Sequence, residues 1–128
     1  MEVPKPYQEK PNLYEKWVDT LYKNLRETVR KAGIRYVQHL DSLRATYGQA
    51  ATAARMCDGD WTLSAVSPTV NLILKIHEGL EEAKYIGKIT EDEYEKAEDL
   101  LTDMHTNAIA AIEQILGERC GCQWKKND

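Results

Sequence analysis

Three cysteines offer the most reactive side chains in this sequence, and two of them, Cys120 and Cys122, flank a single glycine near the carboxyl end. Together with Cys57 they could supply three thiolates to a zinc ion, with a histidine as the fourth ligand. Structural zinc sites usually use two closely spaced pairs, whereas Cys57 stands alone far upstream, and a disulfide within Cys-x-Cys would close a small, strained ring. We therefore interpret all three as unreactive free thiols. Metal or redox chemistry at Cys57, Cys120 and Cys122, or an intersubunit disulfide, are the alternatives.

The three histidines do not complete a known metal pattern. Carboxylate-bridged di-iron bundles need two Glu-x-x-His motifs. The residues three positions before His39, His77 and His105 are Tyr36, Leu74 and Thr102. Nucleophile elbows, glycine-rich phosphate loops and His-Glu-x-x-His motifs do not occur in the sequence either. We expect no cofactor, and an enzyme built around the thiols is the least favoured of the functions considered.

A basic ridge is the next candidate site, consisting of Lys23, Arg26, Arg30, Lys31 and Arg35. At helical spacing the first three share one face, so the ridge could contact nucleic-acid or other phosphates, and such binding would weaken steeply with salt. The other interpretation is that the ridge faces the acidic start of the last predicted helix, in the same bundle or in a partner. The chain's net charge of −4 favours this second interpretation.

Small residues predict a third kind of site, a seam where helices approach closely. On the second helical segment the residues with small side chains are Gly48, Ala51 and Ala54. On the last helix the residues with small or flexible side chains are Met104, Ala108 and Ala111. Two such thin faces can meet within one chain or across a dimer. We take these six residues as the candidate interaction surface.

The chain that must position these residues has the size and composition of one folded domain. It contains 128 residues, of which 42% are hydrophobic and 30% charged. The longest uncharged run, from Trp61 to Leu74, is too short and too polar to span a membrane. Residues 1–11 carry three of the four prolines and predict an extended arm without a secretory signal, so we expect a cytoplasmic protein.

The amino-terminal half reads as helix. Asn12 and Glu15 resemble a capping box, and apolar residues then recur every three or four positions up to Ala32. Gly33 is a natural stop, yet a second apolar stripe begins at once. Either a tight turn at Gly33 folds two helices together, or one long kinked helix continues through it. In the second case the carboxyl-terminal helices could not cover the whole stripe, and the exposed remainder would need a partner chain.

The carboxyl-terminal half predicts a turn-rich separator over 57–68 and then two helices. Ser67 and Pro68 indicate the start of a helix whose opening turns are apolar on most sides, which we predict as the centre of the core. Gly87 should end it, and Thr90 with Glu93 should cap the last helix, which we expect Gly117 to stop. The predicted domain covers residues 12–117, followed by a short tail over 118–128 with Trp124 as a possible anchor.

These elements predict an all-α fold, an antiparallel bundle of three or four helices, the first possibly one long kinked helix through Gly33. Its function is predicted to be non-catalytic: a helical interaction or assembly protein that dimerises, or docks on a larger complex, through apolar helix faces. Binding of nucleic acid or phosphate by the basic ridge is the alternative. An enzyme that depends on the thiols or on a metal is the further alternative.

Overall fold

Residues 11–120 are the part of the chain that the structure, a computed structural model, describes, with side chains from Val18 onward. They form five α-helices and no strand, so the predicted all-α class is confirmed. The helices are α1 (Pro11–Ala32), α2 (Ile34–Arg55), α3 (Gly59–Val66), α4 (Thr69–Tyr85) and α5 (Glu91–Cys120). No helix in this part of the chain combines the length and the apolar character that crossing a membrane requires.

The first helix ends at Gly33 and a second begins after it, so the prediction of one continuous kinked helix is wrong. Gly33 has φ 145°, a backbone conformation that residues with a Cβ rarely adopt, which explains why glycine stands at this turn. Beyond it α2 packs against α1: Tyr22 donates a hydrogen bond to Asp41, and Arg44 Nε lies 2.7 Å from Asp19 Oδ1. The surplus of exposed stripe expected from a single long helix therefore does not arise.

Helix α2 lies at the centre of the fold and packs against all four other helices. Its buried side chains are Val37, Leu40, Leu43, Tyr47, Ala50, Ala51, Ala53 and Ala54. The alanines let neighbouring helices approach closely, since they project little beyond the backbone. The prediction that α4 forms the core's centre is wrong: Ile76 is buried, but Val70 and Leu74 in its opening turns are exposed.

Part of the predicted separator over 57–68 is a helix, α3, which the sequence analysis missed. Asp58 caps it, because its carboxylate accepts a hydrogen bond of 2.9 Å from the Trp61 backbone N–H. Ser67 and Pro68 then connect α3 to α4 with helical backbone angles, φ −53° and ψ −43° at Ser67 and φ −69° and ψ −12° at Pro68. The two short helices therefore follow one another closely.

The turn between α4 and α5 follows the sequence prediction. Gly87 takes the left-handed conformation with φ 86°, and the Lys88 N–H donates to the Ala83 carbonyl at 2.8 Å, as in a Schellman motif. The capping box is also confirmed: the Glu93 N–H donates to Thr90 Oγ1 at 3.0 Å, and the Thr90 N–H donates to Glu93 Oε1 at 2.9 Å. The link thus places the start of α5 beside the end of α4.

The last helix does not stop at Gly117 but continues to Cys120. A glycine in a helix interior weakens the helix without breaking it, and Cys120 is fixed by contacts described below. The predicted tail over 118–128 therefore begins within α5. Of the predicted arm over residues 1–11, Pro11 already belongs to α1. Residues 1–10, Cys122 and the Trp124 anchor lie outside the described residues.

Candidate interaction surface

The predicted seam of small residues lies inside the folded chain. Ala51 and Ala54 of α2 are buried, and so are Met104, Ala108 and Ala111 of α5. The thin faces meet between helices of the same chain, so these five side chains are not available to a partner without opening the core. Only Gly48, the sixth residue of the seam, is exposed.

Gly48 lies in a cleft of about 240 Å³ between α1 and α2. The cleft's other lining residues are Val18, Asp19, Asp41, Arg44, Ala45, Tyr47 and Ala51. The two carboxylates on its rim already have partners in the chain, Arg44 for Asp19 and Tyr22 for Asp41. Burial, followed by the bond to Asp41, raises the pKa of the Tyr22 hydroxyl, so it stays protonated and donating. The cleft therefore offers a small apolar recess with a satisfied polar rim.

The cysteines differ most from their prediction, because Cys57 and Cys120 are joined by a disulfide with a Cα–Cα distance of 5.5 Å. The prediction of free thiols is wrong for these two residues. The reason is the length of α5, which carries Cys120 to the turn after α2, 63 positions away in sequence. Disulfides persist mainly in oxidising compartments, so this bond does not support the expected reducing cytoplasm, and the location stays a prediction.

His77 and His105 take part in hydrogen bonds at helix contacts, and the His39 ring lies 6.2 Å from the Tyr36 ring. His77 Nδ1 lies 2.5 Å from Glu98 Oε2 and its Nε2 lies 3.6 Å from Glu81 Oε2, so each ring nitrogen faces a different carboxylate. His105 Nδ1 lies 2.8 Å from the hydroxyl of the buried Tyr47, and burial lowers the pKa of His105. Among residues 18–120, no three His, Cys, Asp or Glu side chains are grouped so that they could hold a metal ion.

The basic ridge is divided between two helices and is partly neutralised. Lys31 forms an ion pair with Glu93 at the start of α5, and Arg30 Nη2 lies 3.4 Å from Glu27 Oε2. The hydrogen bond from Lys31 and, after it, the one from the Thr90 backbone lower the pKa of Glu93. Arg35 lies beyond Gly33 on α2, with its guanidinium 5.7 Å from the centre of the Tyr36 ring. Lys23 is exposed and Arg26 is half-buried on α1.

An apolar stripe along α3 and α4 is the feature that the sequence analysis did not identify. We define the α3–α4 stripe as Leu63, Val66, Val70, Ile73 and Leu74. Leu63, Val70 and Leu74 are 58%, 57% and 52% exposed, and Val66 and Ile73 are half-buried. Single exposed apolar side chains are common on protein surfaces, whereas contiguous apolar patches often mark interaction sites.

The geometry of the connection makes these residues one stripe. Leu63, Val66, Val70 and Ile73 are separated by steps of three, four and three residues, which is the spacing of a helix-packing seam. Because Ser67 and Pro68 keep helical angles, that spacing continues from α3 into α4 with a bend at the proline. Both helices bury another side against α2, so Leu63, Val70 and Leu74 face away from the core. Val66 and Ile73, at the edge of the stripe, pack partly against the core.

The signal for this stripe was present in the sequence as an excess of apolar residues. The run from Trp61 to Leu74 contains no charged residue, and α4 is apolar on most sides in its opening turns. We interpreted this pattern as complete burial, whereas the fold covers only one side.

No protein-family model matches the chain, and the searches of curated proteins and of solved structures likewise found no match.

Proposed function

We propose that this protein is a non-catalytic helical assembly protein that forms a homodimer through the α3–α4 stripe. The single observation that carries the proposal is the exposure of Leu63, Val70 and Leu74, each more than half accessible, on one side of two successive helices. In this proposal each protomer is an antiparallel helical bundle. Two contacts support that arrangement. Tyr22 and Asp41 lie at similar distances on either side of the Gly33 turn, and Lys31 at the end of α1 meets Glu93 at the start of α5.

The charge distribution favours a second copy of this chain as the partner. In a two-fold symmetric dimer each surface patch meets itself, so any charge near the axis would face its own kind. The chain has a net charge of −4, but the segment from Trp61 to Leu74 contains no charged residue. The stripe itself therefore carries no charge to oppose its copy, and the exposed Asp60, Lys75 and Glu78 lie at its borders. Interface centres are usually depleted of charge in the same way.

The expected dimer is weak. Covering the exposed half of a large aliphatic side chain stabilises by roughly 1 to 1.5 kcal/mol, and the symmetry counts each residue of the stripe twice. The sum is of the same order as the lower estimates of the cost of association, about 4 kcal/mol and upward. We therefore expect association that depends on protein concentration rather than a permanent dimer.

The test is a mass measurement in solution over a range of concentrations, by sedimentation equilibrium or light scattering. The parent should approach twice 14.7 kDa as concentration rises. Leu74→Lys places a charge in the stripe and should keep the protein monomeric. Ile34→Lys is the matched control, because Ile34 is 67% exposed at the start of α2, outside the stripe. A parent that stays monomeric throughout, or a Leu74→Lys variant that dimerises as well as the parent, contradicts the proposal.

Phosphate binding by the basic ridge is the weaker alternative. Lys31 and Arg30 already have carboxylate partners within the chain, and Arg35 lies on a different helix from the other four residues. A phosphate would have to compete with Glu93 and Glu27 for these cations. No contact in the described residues favours this function over assembly.

A further inference from the structure

The disulfide joins the turn before α3 to the end of α5. Cys57 lies between α2 and α3, one residue before the capping residue Asp58, and Cys120 is the last residue of α5. The Cys57 side is exposed to solvent, whereas Cys120 is half-buried. A small thiol reagent can therefore approach the bond from outside the protein.

Helix α3 is short and packs on α2 mainly through small side chains, with Val66 half-buried against the core. It contains eight residues, and its buried side chains are the small Thr62 and Ala65. A helix of this length is unstable without tertiary support, because few backbone hydrogen bonds offset the cost of starting it. The position of Leu63, the first residue of the stripe, thus depends strongly on how the start of α3 is anchored.

That anchor is a tight turn whose conformation is unfavourable by itself. Cys57 is the one non-glycine residue with positive φ among the described residues, at 57°. The Asp58 N–H donates to the Ala53 carbonyl at 3.0 Å and the Cys57 N–H to the Ala54 carbonyl at 3.0 Å, which forms a Schellman motif with cysteine where glycine is usual. The covalent link to Cys120 helps to keep the chain in this turn.

The last turn of α5 depends on the same link. After the buried Leu116, the residues Gly117, Glu118 and Arg119 are exposed, and Cys120 is the next residue with any burial. Arg119 Nη1 donates a long hydrogen bond of 3.3 Å to the Arg55 carbonyl, and Cys120 Sγ lies 3.6 Å from the Ala54 carbonyl oxygen. Loss of the disulfide would therefore free both the end of α5 and the turn that begins α3.

We propose that the Cys57–Cys120 disulfide is a redox switch for the dimer formed through the α3–α4 stripe; this inference rests on the proposed function. A dithiol reduces the bond in two exchange steps, so the S–S bond breaks, each cysteine sulfur ends with a proton from the dithiol, and the dithiol is oxidised to a cyclic disulfide. The reduced α3 then opens more often, which disorders Leu63 and shortens the stripe. Reduction should shift the protein toward monomer.

The experiment uses the full chain with Cys122→Ser, so that only Cys57 and Cys120 can pair. Tryptic peptides of protein isolated with a thiol-blocking reagent should show residues 56–75 linked to residues 120–125. Oxidised and dithiol-treated samples are then compared by sedimentation equilibrium and by hydrogen exchange. On reduction we expect the dimer dissociation constant to rise about tenfold or more, and the amides of α3 to exchange about tenfold faster, while amides in the middle of α4 change little.

The control is a variant in which Cys57, Cys120 and Cys122 are all changed to Ser. It should behave like the reduced sample and should not respond to the dithiol; if this variant fails to fold, the reduced Cys122→Ser protein carries the comparison. Dimers of equal strength in both redox states, or isolated protein without the linked peptides, would overturn the switch and leave the proposed dimer standing. An oxidised protein that never dimerises would overturn the proposed function itself, and the switch with it.

Discussion

The ring of Tyr36 lies against the backbone of Gly79, so closely that a Cβ atom on this glycine would stand 2.5 Å from the ring. The contact joins the first turn of α2 to the second half of α4, and the Tyr36 hydroxyl also donates to Glu82 at 3.3 Å. The clash would involve the part of the ring nearest the backbone, which cannot move aside easily.

Gly79→Ala should therefore destabilise the protein. Overpacking typically costs about 1 to 3 kcal/mol of stability. Alanine gains about 1 kcal/mol over glycine in helix propensity, which offsets only the smallest of these costs. Gly48→Ala is the control, since nothing lies within 4 Å of a Cβ at that position and the propensity gain remains. Urea denaturation should show a lower midpoint for the first variant and an unchanged or higher one for the second. Equal midpoints would mean that Tyr36 does not approach Gly79.

The buried seam predicts a stability change without a change in assembly. Ala108 of α5 is fully buried, so Ala108→Leu should cost about 1 to 3 kcal/mol. Ala110→Leu, two residues away on the exposed side, should change stability by less than about 0.5 kcal/mol. Thermal melts of both variants, with solution masses, would check this. A shift in dimerisation caused by Ala108→Leu at constant stability would instead place the seam at an interface.

Stability should fall with acidity because of His105. Burial lowers the pKa of His105 below its ordinary value of 6.5, so the unfolded chain takes up a proton at a higher pH than the folded chain does. The contribution of neutral His105 to the free energy of unfolding is complete above about pH 6.5. It decreases as the pH falls toward the lower pKa that His105 has in the folded protein. Urea midpoints between pH 7.5 and 5 should show this decrease, and His105→Gln should reduce it. An unchanged pH profile in His105→Gln would show that another group is responsible.

The capping box at the start of α5 predicts a moderate local effect. Thr90→Ala removes the acceptor for the Glu93 N–H and should cost about 0.5 to 2 kcal/mol. Thr102→Ala is a matched control, because Thr102 is exposed in the interior of the same helix. Chemical denaturation of both variants would measure the difference. A Thr102→Ala variant as unstable as Thr90→Ala would indicate that capping is not the cause.

The basic ridge gives a test of the phosphate-binding alternative. Because Lys31 and Arg30 are already paired with carboxylates, we expect the protein to bind duplex DNA only weakly at low salt. A triple variant with Lys23→Glu, Arg26→Glu and Arg30→Glu should bind no more weakly than the parent. Fluorescence anisotropy across a salt series would measure it. Tight binding by the parent that falls steeply with salt and is lost in the triple variant would favour the alternative.

The sequence alone predicted the helical class and several helix ends. Local chemistry decided these features: the apolar spacing along α1, α2 and α5, the glycine turn at Gly87, and the Thr90–Glu93 capping box. Each depends on residues within a few positions of one another, so their side chains and backbone preferences act before any tertiary contact forms. At Gly33 the sequence left a turn and a continuous kinked helix as alternatives. The missed helix α3 has a local signal too, in Asp58 as its cap, but its turn-forming composition concealed it.

Only the tertiary structure decided which apolar surfaces are covered. A helix that is apolar on several sides can be buried on all of them or on only one. Whether Val70 and Leu74 are buried or exposed depends on which side of α4 the helices α2 and α5 pack against. The pairing of Cys57 with Cys120 has the same origin, since residues 63 positions apart meet because α5 continues past Gly117 and ends at the turn after α2. Spacing in the sequence fixes the faces of each helix, but the packing of distant helices determines which faces are buried and which thiols come within bonding distance.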